Sequence, residues 1–108
     1  MKYQAMSETV LKAVGGKENI TSVTHCATRL RIDARDTSII DLQLAKSADQ
    51  ALGAVVSGGQ LQVIIGPNVT EAYNDFLDFA GIEVGGGAGR IHIVRKKFRT
   101  LGKGDADR

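Results

Sequence analysis

The 108-residue chain has a single cysteine, Cys26, with Arg29 and Arg31 at the third and fifth positions after it. A nearby guanidinium stabilises a thiolate, and the thiolate rather than the thiol is the nucleophile. Arginine also offers a planar set of donors that suits phosphate oxygens. The Thr28 hydroxyl and the backbone N–H groups of the loop, among them that of Ala27, would complete an anion-binding nest. This spacing favours a cysteine that accepts a phosphoryl group.

Two simpler interpretations stay open beside this one. An isolated cysteine is most often a small buried side chain, and alternating arginines on a strand often form only its solvated face. A tyrosine-phosphatase site is excluded, because it needs an arginine six positions after the cysteine and that position is Ile32. His25 directly precedes Cys26, but neighbours on a strand point to opposite faces, so we do not expect His25 to activate the thiol.

A strand is predicted on either side of Cys26. Residues 20–25 form a short stretch rich in β-branched side chains, which favours a strand. Residues 28–33 alternate strictly between polar and apolar side chains, so both arginines should face away from the core. Cys26 then falls at the join between two strands, where backbone N–H groups are available to an anion.

Residues 52–65 contain two further strand-like runs joined by Gly58-Gly59, which is typical of a hairpin with a tight turn. Gln60 and Gln62 occupy alternate positions on the second run, so they should share one face of the sheet. We expect that face to be the open one. Both glutamines could equally be ordinary exposed polar residues.

The spacing of apolar residues predicts three helices, over residues 3–14, 38–48 and 69–80. The second helix carries Ser38 and Asp41 in the positions of a capping pair. The elements therefore follow the order α-β-β-α-β-β-α. This order predicts an α+β fold, in which a four-stranded antiparallel sheet has three helices packed on one face.

Composition limits the domain organisation and the class of protein. The length fits one hydrophobic core, and no apolar run is long enough to span a bilayer. Seven of the 14 Lys and Arg residues lie in residues 83–108, against three acids. The remaining part is slightly acidic and poor in aromatic residues, which is unlike a nucleic-acid-binding protein. We predict a folded domain over residues 1–82 and a flexible basic linker over residues 83–108.

Three motifs together resemble a known family. They are Gly15-Gly16-Lys17-Glu18-Asn19-Ile20, His25-Cys26-Ala27-Thr28-Arg29-Leu30-Arg31 and Gly59-Gln60-Leu61-Gln62-Val63-Ile64-Ile65-Gly66-Pro67. They are similar to the enzyme IIB (EIIB) domains of sugar permeases in the bacterial phosphoenolpyruvate-dependent phosphotransferase system, of the glucose superfamily. The resemblance covers about residues 4–82. It implies the same four-stranded antiparallel sheet with three helices on one side.

The resemblance also implies a role for each matching residue. Cys26 matches the cysteine that receives a phosphoryl group from a phosphohistidine on a IIA domain. Arg29 and Arg31 match the two arginines that are needed chiefly to pass this group to a sugar held by the membrane IIC domain. Thr28 matches a threonine that helps to hold the phosphate, and Gln62 matches a glutamine on the last strand of the sheet. We expect Gln62 to bind the phosphate together with Thr28 and Ala27.

The resemblance thus implies a phosphotransferase whose partners are a IIA domain, a IIC domain and, through IIC, a sugar. It implies a soluble domain at the cytoplasmic face of the cell membrane, with residues 83–108 leading towards the IIC domain. No metal or other cofactor is called for, since one cysteine cannot form a cysteine-based zinc site and the arginines supply positive charge. A different class stays open, namely a non-catalytic anion-binding or regulatory module that uses the same basic loop.

Overall fold

The computed structural model describes residues 2–87 and 90–95. Two 3₁₀ turns, at Lys17–Asn19 and Thr37–Ile39, separate longer elements. In chain order, the helices and strands are α1 (Gln4–Val14), β1 (Ile20–His25), β2 (Arg29–Ala34), α2 (Leu42–Lys46), β3 (Gly53–Ser57), β4 (Gln60–Ile64), α3 (Val69–Ala80), β5 (Ile82–Gly87) and β6 (Arg90–Arg95). None of the helices in these residues is long and apolar enough to cross a membrane.

Strands β1 to β4 form one antiparallel sheet in the order β1-β2-β4-β3. Alternate residues of its strands enter the core, and this apolar face carries Val23, Leu30, Ile32, Ala54, Leu61 and Val63. The three helices cover this face, with α3 against β1 and β2 and with α2 against β3. The predicted α+β fold is therefore confirmed. The other face carries the polar residues of β2 and β4, and in register Arg31 lies directly opposite Gln62.

Helix α1 ends at Gly15, which adopts a left-handed conformation with φ 99°. The N–H groups of Gly15 and Gly16 donate to the carbonyls of Lys12 and Leu11, which is the Schellman arrangement of a helix end. A Cβ at Gly15 would lie 2.7 Å from Cδ1 of Ile39. The positive φ favours glycine here, whereas the end of the exposed Ile39 side chain can move to admit a Cβ.

The second helix is shorter than predicted, because α2 covers only Leu42–Lys46. Ser38 lies in a 3₁₀ turn, where its N–H and hydroxyl donate to Asp36 Oδ1 at 2.9 and 2.6 Å. Asp41 is itself the N-cap of α2, since its Oδ1 accepts from the Leu44 N–H at 3.0 Å. The predicted capping pair of Ser38 with Asp41 is therefore wrong, because each aspartate caps its own short turn.

Part of the segment predicted as a flexible linker is a hairpin. Strands β5 and β6 pair antiparallel, with Ile82 opposite Arg95, and Ile82 is buried in the core. Backbone pairing needs no side chains, so the glycines of β5 can pair with the apolar run of β6. Residues 83–87 and 90–95 of the predicted linker thus pair as strands, and the division into a domain over residues 1–82 and a linker over residues 83–108 stays a prediction. Residues 88–89 and 96–108 lie outside the described residues, and for them the linker stays a prediction.

Candidate functional site

Cys26 begins a three-residue loop between β1 and β2. The loop is closed by the Cys26 N–H, which donates to the Arg29 carbonyl at 3.0 Å. The Thr28 carbonyl accepts two further bonds at 2.9 Å, from the N–H groups of Ile65 and Gly66. The residues after β4 therefore fix the conformation of the loop that carries the cysteine.

The half-buried Cys26 thiol is surrounded by donors. Its pKa is lowered from the ordinary value of 9.0 to about 7, first because the Thr28 N–H donates to the sulfur and then because the Arg29 N–H does. Burial opposes this effect, while the hydrogen bond and charge of the Arg31 guanidinium add smaller contributions that lower the pKa. About half of the thiol is thus ionised at neutral pH. The backbone of the loop activates the cysteine more than the arginine side chains do.

Arg29 and Arg31 both lie on the polar face of β2, but they have different partners. The Arg31 guanidinium approaches Cys26, and its Nε is shielded from solvent without a hydrogen-bond partner among the described residues. The Arg29 Nη1 instead donates to Gln62 Oε1 at 2.8 Å. Arg31 is therefore placed to meet an anion at the sulfur, whereas Arg29 is held in position by a neighbouring strand.

A line of hydrogen bonds continues from Arg29 across the polar face, and we call it the amide chain. Gln62 Nε2 donates to Gln60 Oε1 at 2.8 Å, and Gln60 Nε2 donates to Asp33 Oδ1 at 2.9 Å. The other carboxylate oxygen of Asp33 accepts from the Ser22 hydroxyl. Alternation correctly placed Gln60 and Gln62 on one face with Asp33. Their connection to Arg29 was missed, because it depends on the register between strands.

The His25 ring is held by contacts on the helix side of the loop. Its centroid lies 4.7 Å from that of the Tyr73 ring on α3, with a tilt of 56° between the planes. His25 Nδ1 donates to the Cys26 carbonyl at 2.9 Å. Burial raises the pKa of Tyr73, which therefore stays neutral beside the histidine. These contacts give His25 a role in holding the loop and agree with the expectation that it does not activate the thiol.

Two further loop residues were predicted to bind phosphate, and both side chains are exposed. Ala27 and Thr28 lie at the tip of the loop, where the Thr28 hydroxyl can reach an incoming group. Within the described part of the chain, no three His, Cys, Asp or Glu side chains are grouped so that they could hold a metal ion. The site thus combines a thiolate, backbone N–H groups and a guanidinium, which together suit phosphoryl chemistry.

Known proteins are similar to this chain in sequence and in fold. Residues 8–41 match the family model described as phosphotransferase system, EIIB. The N-acetylglucosamine-specific EIICB component of Bacillus subtilis is 54% identical over 68 residues, which cover 61% of this chain and 15% of that protein. The arbutin-, cellobiose-, and salicin-specific EIIBC component of Escherichia coli is 44% identical over 75 residues, which cover 69% of this chain and 16% of that protein.

A solved structure of one domain of the PTS system IIabc component from Clostridium difficile matches with a TM-score of 0.68 and 29% identity. The match covers 93% of this chain and 95% of that one. Fold, cysteine loop and relatives together define a component of the bacterial phosphotransferase system. Within that system the chain is an EIIB domain, as its motifs indicated. It spans only about a seventh of the two curated relatives described above.

Proposed function

We propose that Cys26 carries a phosphoryl group, which it receives from a phosphohistidine on a IIA domain and donates to a sugar bound by a membrane IIC domain. The observation that carries this proposal is the Cys26 sulfur, whose pKa of about 7 reflects two backbone N–H donors and Arg31. The domain composition of the relatives supports these two partners. One of them, from Dickeya chrysanthemi, is a beta-glucoside-specific EIIBCA component in which all three parts occur together.

In the first step, the Cys26 thiolate attacks the phosphorus of the phosphohistidine in line with the bond to nitrogen. The S–P bond forms while the P–N bond breaks, and the electron pair of the broken bond stays on the imidazole nitrogen. Negative charge on the phosphoryl oxygens is stabilised by the N–H groups of the loop and by Arg31. Because the loop is already fixed by its own hydrogen bonds, these donors need little rearrangement.

In the second step, a sugar hydroxyl oxygen attacks the phosphorus of phosphocysteine. The O–P bond forms, the S–P bond breaks and its electron pair returns to the sulfur, while the hydroxyl proton passes to a base outside this chain. The interactions that lower the pKa of Cys26 also make its thiolate a better leaving group. The same donors therefore serve both steps, and no step needs a metal ion.

The proposal places this domain at the cytoplasmic face of the membrane, beside the IIC domain. Relatives in which EIIB and EIIC form one protein, such as the sucrose-specific EIIBC component of Klebsiella pneumoniae, support this placement. The residues after β6 would then form the predicted linker. The chemical identity of the sugar depends on IIC, so this chain alone does not specify it.

The test is to incubate the full chain with radiolabelled phosphoenolpyruvate, the upstream phosphocarriers and a IIA domain from the beta-glucoside relative. We expect label on the Cys26 peptide in mass spectrometry and none in Cys26→Ser, whose hydroxyl stays protonated. Membranes that contain the EIIC part of the Bacillus subtilis relative and N-acetylglucosamine should then remove the label from Cys26. A folded chain that binds inorganic phosphate but never acquires label would instead be the non-catalytic anion-binding module.

A further inference from the structure

Three carbonyl oxygens of the cysteine loop are occupied by hydrogen bonds. The Cys26 carbonyl accepts from His25 Nδ1 at 2.9 Å, and the Arg29 carbonyl accepts from the Cys26 N–H at 3.0 Å. The Thr28 carbonyl accepts from two N–H groups that follow β4. An anion site needs N–H groups turned inwards, because a carbonyl oxygen repels a thiolate or a phosphate. These bonds keep three carbonyls from facing such an anion.

Of these bonds, the one to the Cys26 carbonyl is the one that a side chain donates. The other carbonyls are bound by backbone N–H groups, whose positions follow from the path of the chain. The Cys26 carbonyl instead depends on the His25 imidazole. Because a carbonyl only accepts, His25 Nδ1 must carry a hydrogen, and in the neutral ring Nε2 then carries none. The orientation of the peptide after Cys26 therefore depends on one replaceable side chain.

Helix α3 holds this imidazole in place. The His25 ring lies 4.7 Å from the Tyr73 ring between centroids, with a tilt of 56° between the planes. Tyr73 is half-buried and packs against the hydrophobic core, so its own ring is fixed. Tilted contacts between aromatic rings are favourable and directional. Tyr73 therefore sets the direction from which His25 Nδ1 approaches the Cys26 carbonyl.

The bond from His25 also determines where the next N–H points. No peptide bond among the described residues is cis, and in a trans peptide the N–H points opposite to the C=O. The Cys26 carbonyl is turned towards the imidazole, which lies on the helix side of the loop. The Ala27 N–H therefore points away from the helices. The Cys26 sulfur lies on that other side, since Arg31 of the polar face approaches it.

The Ala27 N–H is available to a ligand. The N–H groups of Thr28 and Arg29 already donate to the Cys26 sulfur. The Ala27 N–H has no hydrogen-bond partner in the described part of the chain, and the residue is exposed. It can therefore donate to an oxygen of a phosphoryl group on the sulfur. If this peptide turned over, the Cys26 carbonyl oxygen would take the place of the N–H and would repel that group.

We propose that His25 is a positioning residue for phosphoryl transfer, which holds the peptide between Cys26 and Ala27 so that the Ala27 N–H faces the phosphoryl group. Tyr73 acts through His25 by holding the imidazole. This inference rests on the proposed function. Because the Ala27 N–H donates to phosphoryl oxygens and not to the sulfur, it serves both the loading of Cys26 and the transfer to the sugar. The acidity of the free thiol does not depend on it.

The experiment compares His25→Phe with His25→Asn in the full chain. Phenylalanine keeps a ring against Tyr73 and has no donor, whereas the asparagine amide can donate from the place of Nδ1. We expect His25→Phe to slow both loading of Cys26 and transfer to N-acetylglucosamine by about 3–10-fold, the effect of one net hydrogen bond. His25→Asn should recover most of this loss. Tyr73→Leu, which removes the ring contact and keeps the donor, should cause a smaller loss.

Three readouts separate the orientation of one peptide from general support of the loop. The thiol pKa from alkylation rates should stay at about 7 in His25→Phe, because the N–H groups of Thr28 and Arg29 remain at the sulfur. On phosphorylation of Cys26, the NMR signal of the Ala27 amide proton should move downfield in wild type and much less in His25→Phe. Nitrogen NMR of the wild-type chain should place the hydrogen of the neutral His25 ring on Nδ1.

A poorly folded His25→Phe can be replaced by His25→Gln, whose amide reaches the place of Nε2 and not that of Nδ1. It should show the same loss in both transfers. The matched pair is then His25→Gln with His25→Asn, since both carry the same amide group at different distances from the backbone.

Wild-type transfer rates in His25→Phe, equal losses in His25→Phe and His25→Asn, or a ring hydrogen on Nε2 would each overturn the inference while the proposed function stands. A thiol pKa that rises towards 9.0 in His25→Phe would also overturn it, because His25 would then support the whole loop. Failure of the proposed function has a different signature, since Cys26 of the wild-type chain would take no label from the IIA domain.

Discussion

The backbone of Cys26 and the backbone of Arg29 are joined across the loop, since the Cys26 N–H donates to the Arg29 carbonyl at 3.0 Å. The Arg29 N–H in turn donates to the Cys26 sulfur. The Thr28 N–H lowers the pKa of the thiol most and the Arg29 N–H comes next, so the peptide backbone, rather than a charged side chain, is the main reason for the low pKa. A side-chain substitution removes only part of the activation.

We therefore predict that Arg31→Met raises the pKa of Cys26 above 7 but leaves it below the ordinary 9.0. Loss of the cation destabilises the thiolate, so the pKa rises, while the N–H groups of Thr28 and Arg29 continue to lower it. The rate of alkylation by iodoacetamide as a function of pH measures this value. Arg29→Met is the matched control and should change the pKa less, because that guanidinium is bound to Gln62. A midpoint of 9 in Arg31→Met would contradict the dominant role of the backbone.

The lowered pKa also predicts how stability depends on pH. Between pH 7 and 9 the unfolded thiol holds a proton that the folded thiol has largely lost. Stability rises with pH wherever the unfolded state binds more protons. The melting temperature of the wild-type chain should therefore increase relative to Cys26→Ser as pH is raised from about 7 to 9, and the difference should disappear as pH falls below 7. Parallel curves for the two proteins across this range would mean that the donors do not favour the thiolate.

The two arginines should matter more for the sugar step than for loading of Cys26. A IIA domain brings its own groups to the first transfer, whereas a neutral sugar offers nothing that stabilises charge on the departing sulfur. We predict that Arg29→Lys and Arg31→Lys slow sugar phosphorylation by about 10²–10³-fold and slow cysteine phosphorylation much less. Lysine keeps the charge and loses the planar donor geometry. Both steps can be followed with radiolabelled phosphoenolpyruvate in one mixture, and equal losses would refute this division of labour.

Asn19 should be important for folding, although it lies away from the thiol. It is buried, its Nδ2 donates to the carbonyls of Val14 and Asp36 at 2.8 and 3.0 Å, and its Oδ1 accepts from the Asp36 N–H at 2.9 Å. Asn19→Ala leaves these backbone groups without partners, so we predict a loss of about 2–4 kcal/mol in the free energy of unfolding by urea. Asn68→Ala is the matched control.

Asn68 occupies the N-cap of α3 without a side-chain hydrogen bond there. Its replacement by alanine should therefore cost less than about 0.5 kcal/mol. Comparable losses in the two variants would show that the contacts of Asn19 are not what stabilises this region.

Much of the fold follows from local patterns in the sequence. Leu30 and Ile32 alternate with charged residues, and both are fully buried in the sheet core. The tight turn at Gly58-Gly59 needs positive φ values of 58° and 79°, which glycine supplies. The nucleophile and its donors lie within residues 26–31, so their spacing alone indicated the chemistry. Short-range chemistry and periodicity are visible without knowledge of how strands pair.

The features that the sequence did not predict depend on contacts between residues that are distant along the chain. Alternation placed Arg29 and Arg31 on one face as equivalent side chains, yet only Arg29 is bound by Gln62, which lies 33 positions further along the chain. Which glutamine meets which arginine is decided by the register of β2 against β4, and one residue of slippage would change it. The hairpin of β5 and β6 was likewise hidden, because glycine-rich sequence lowers local strand propensity while its backbone can still pair.

The double acceptor at Thr28 has a consequence for how this loop can vary. Its carbonyl accepts from the N–H groups of Ile65 and Gly66, and the Cys26 N–H is already bound to the Arg29 carbonyl. The backbone of the loop is therefore fixed at both of its ends. Inserting or deleting a residue between Cys26 and Arg29 would break one of these hydrogen bonds. The backbone N–H donors would then also move away from the sulfur. We therefore expect neither evolution nor engineering to change the length of this loop without loss of the low thiol pKa. Reactivity of the thiol can instead be adjusted through side chains such as Ala27 and Arg31, whose substitution leaves the backbone path intact.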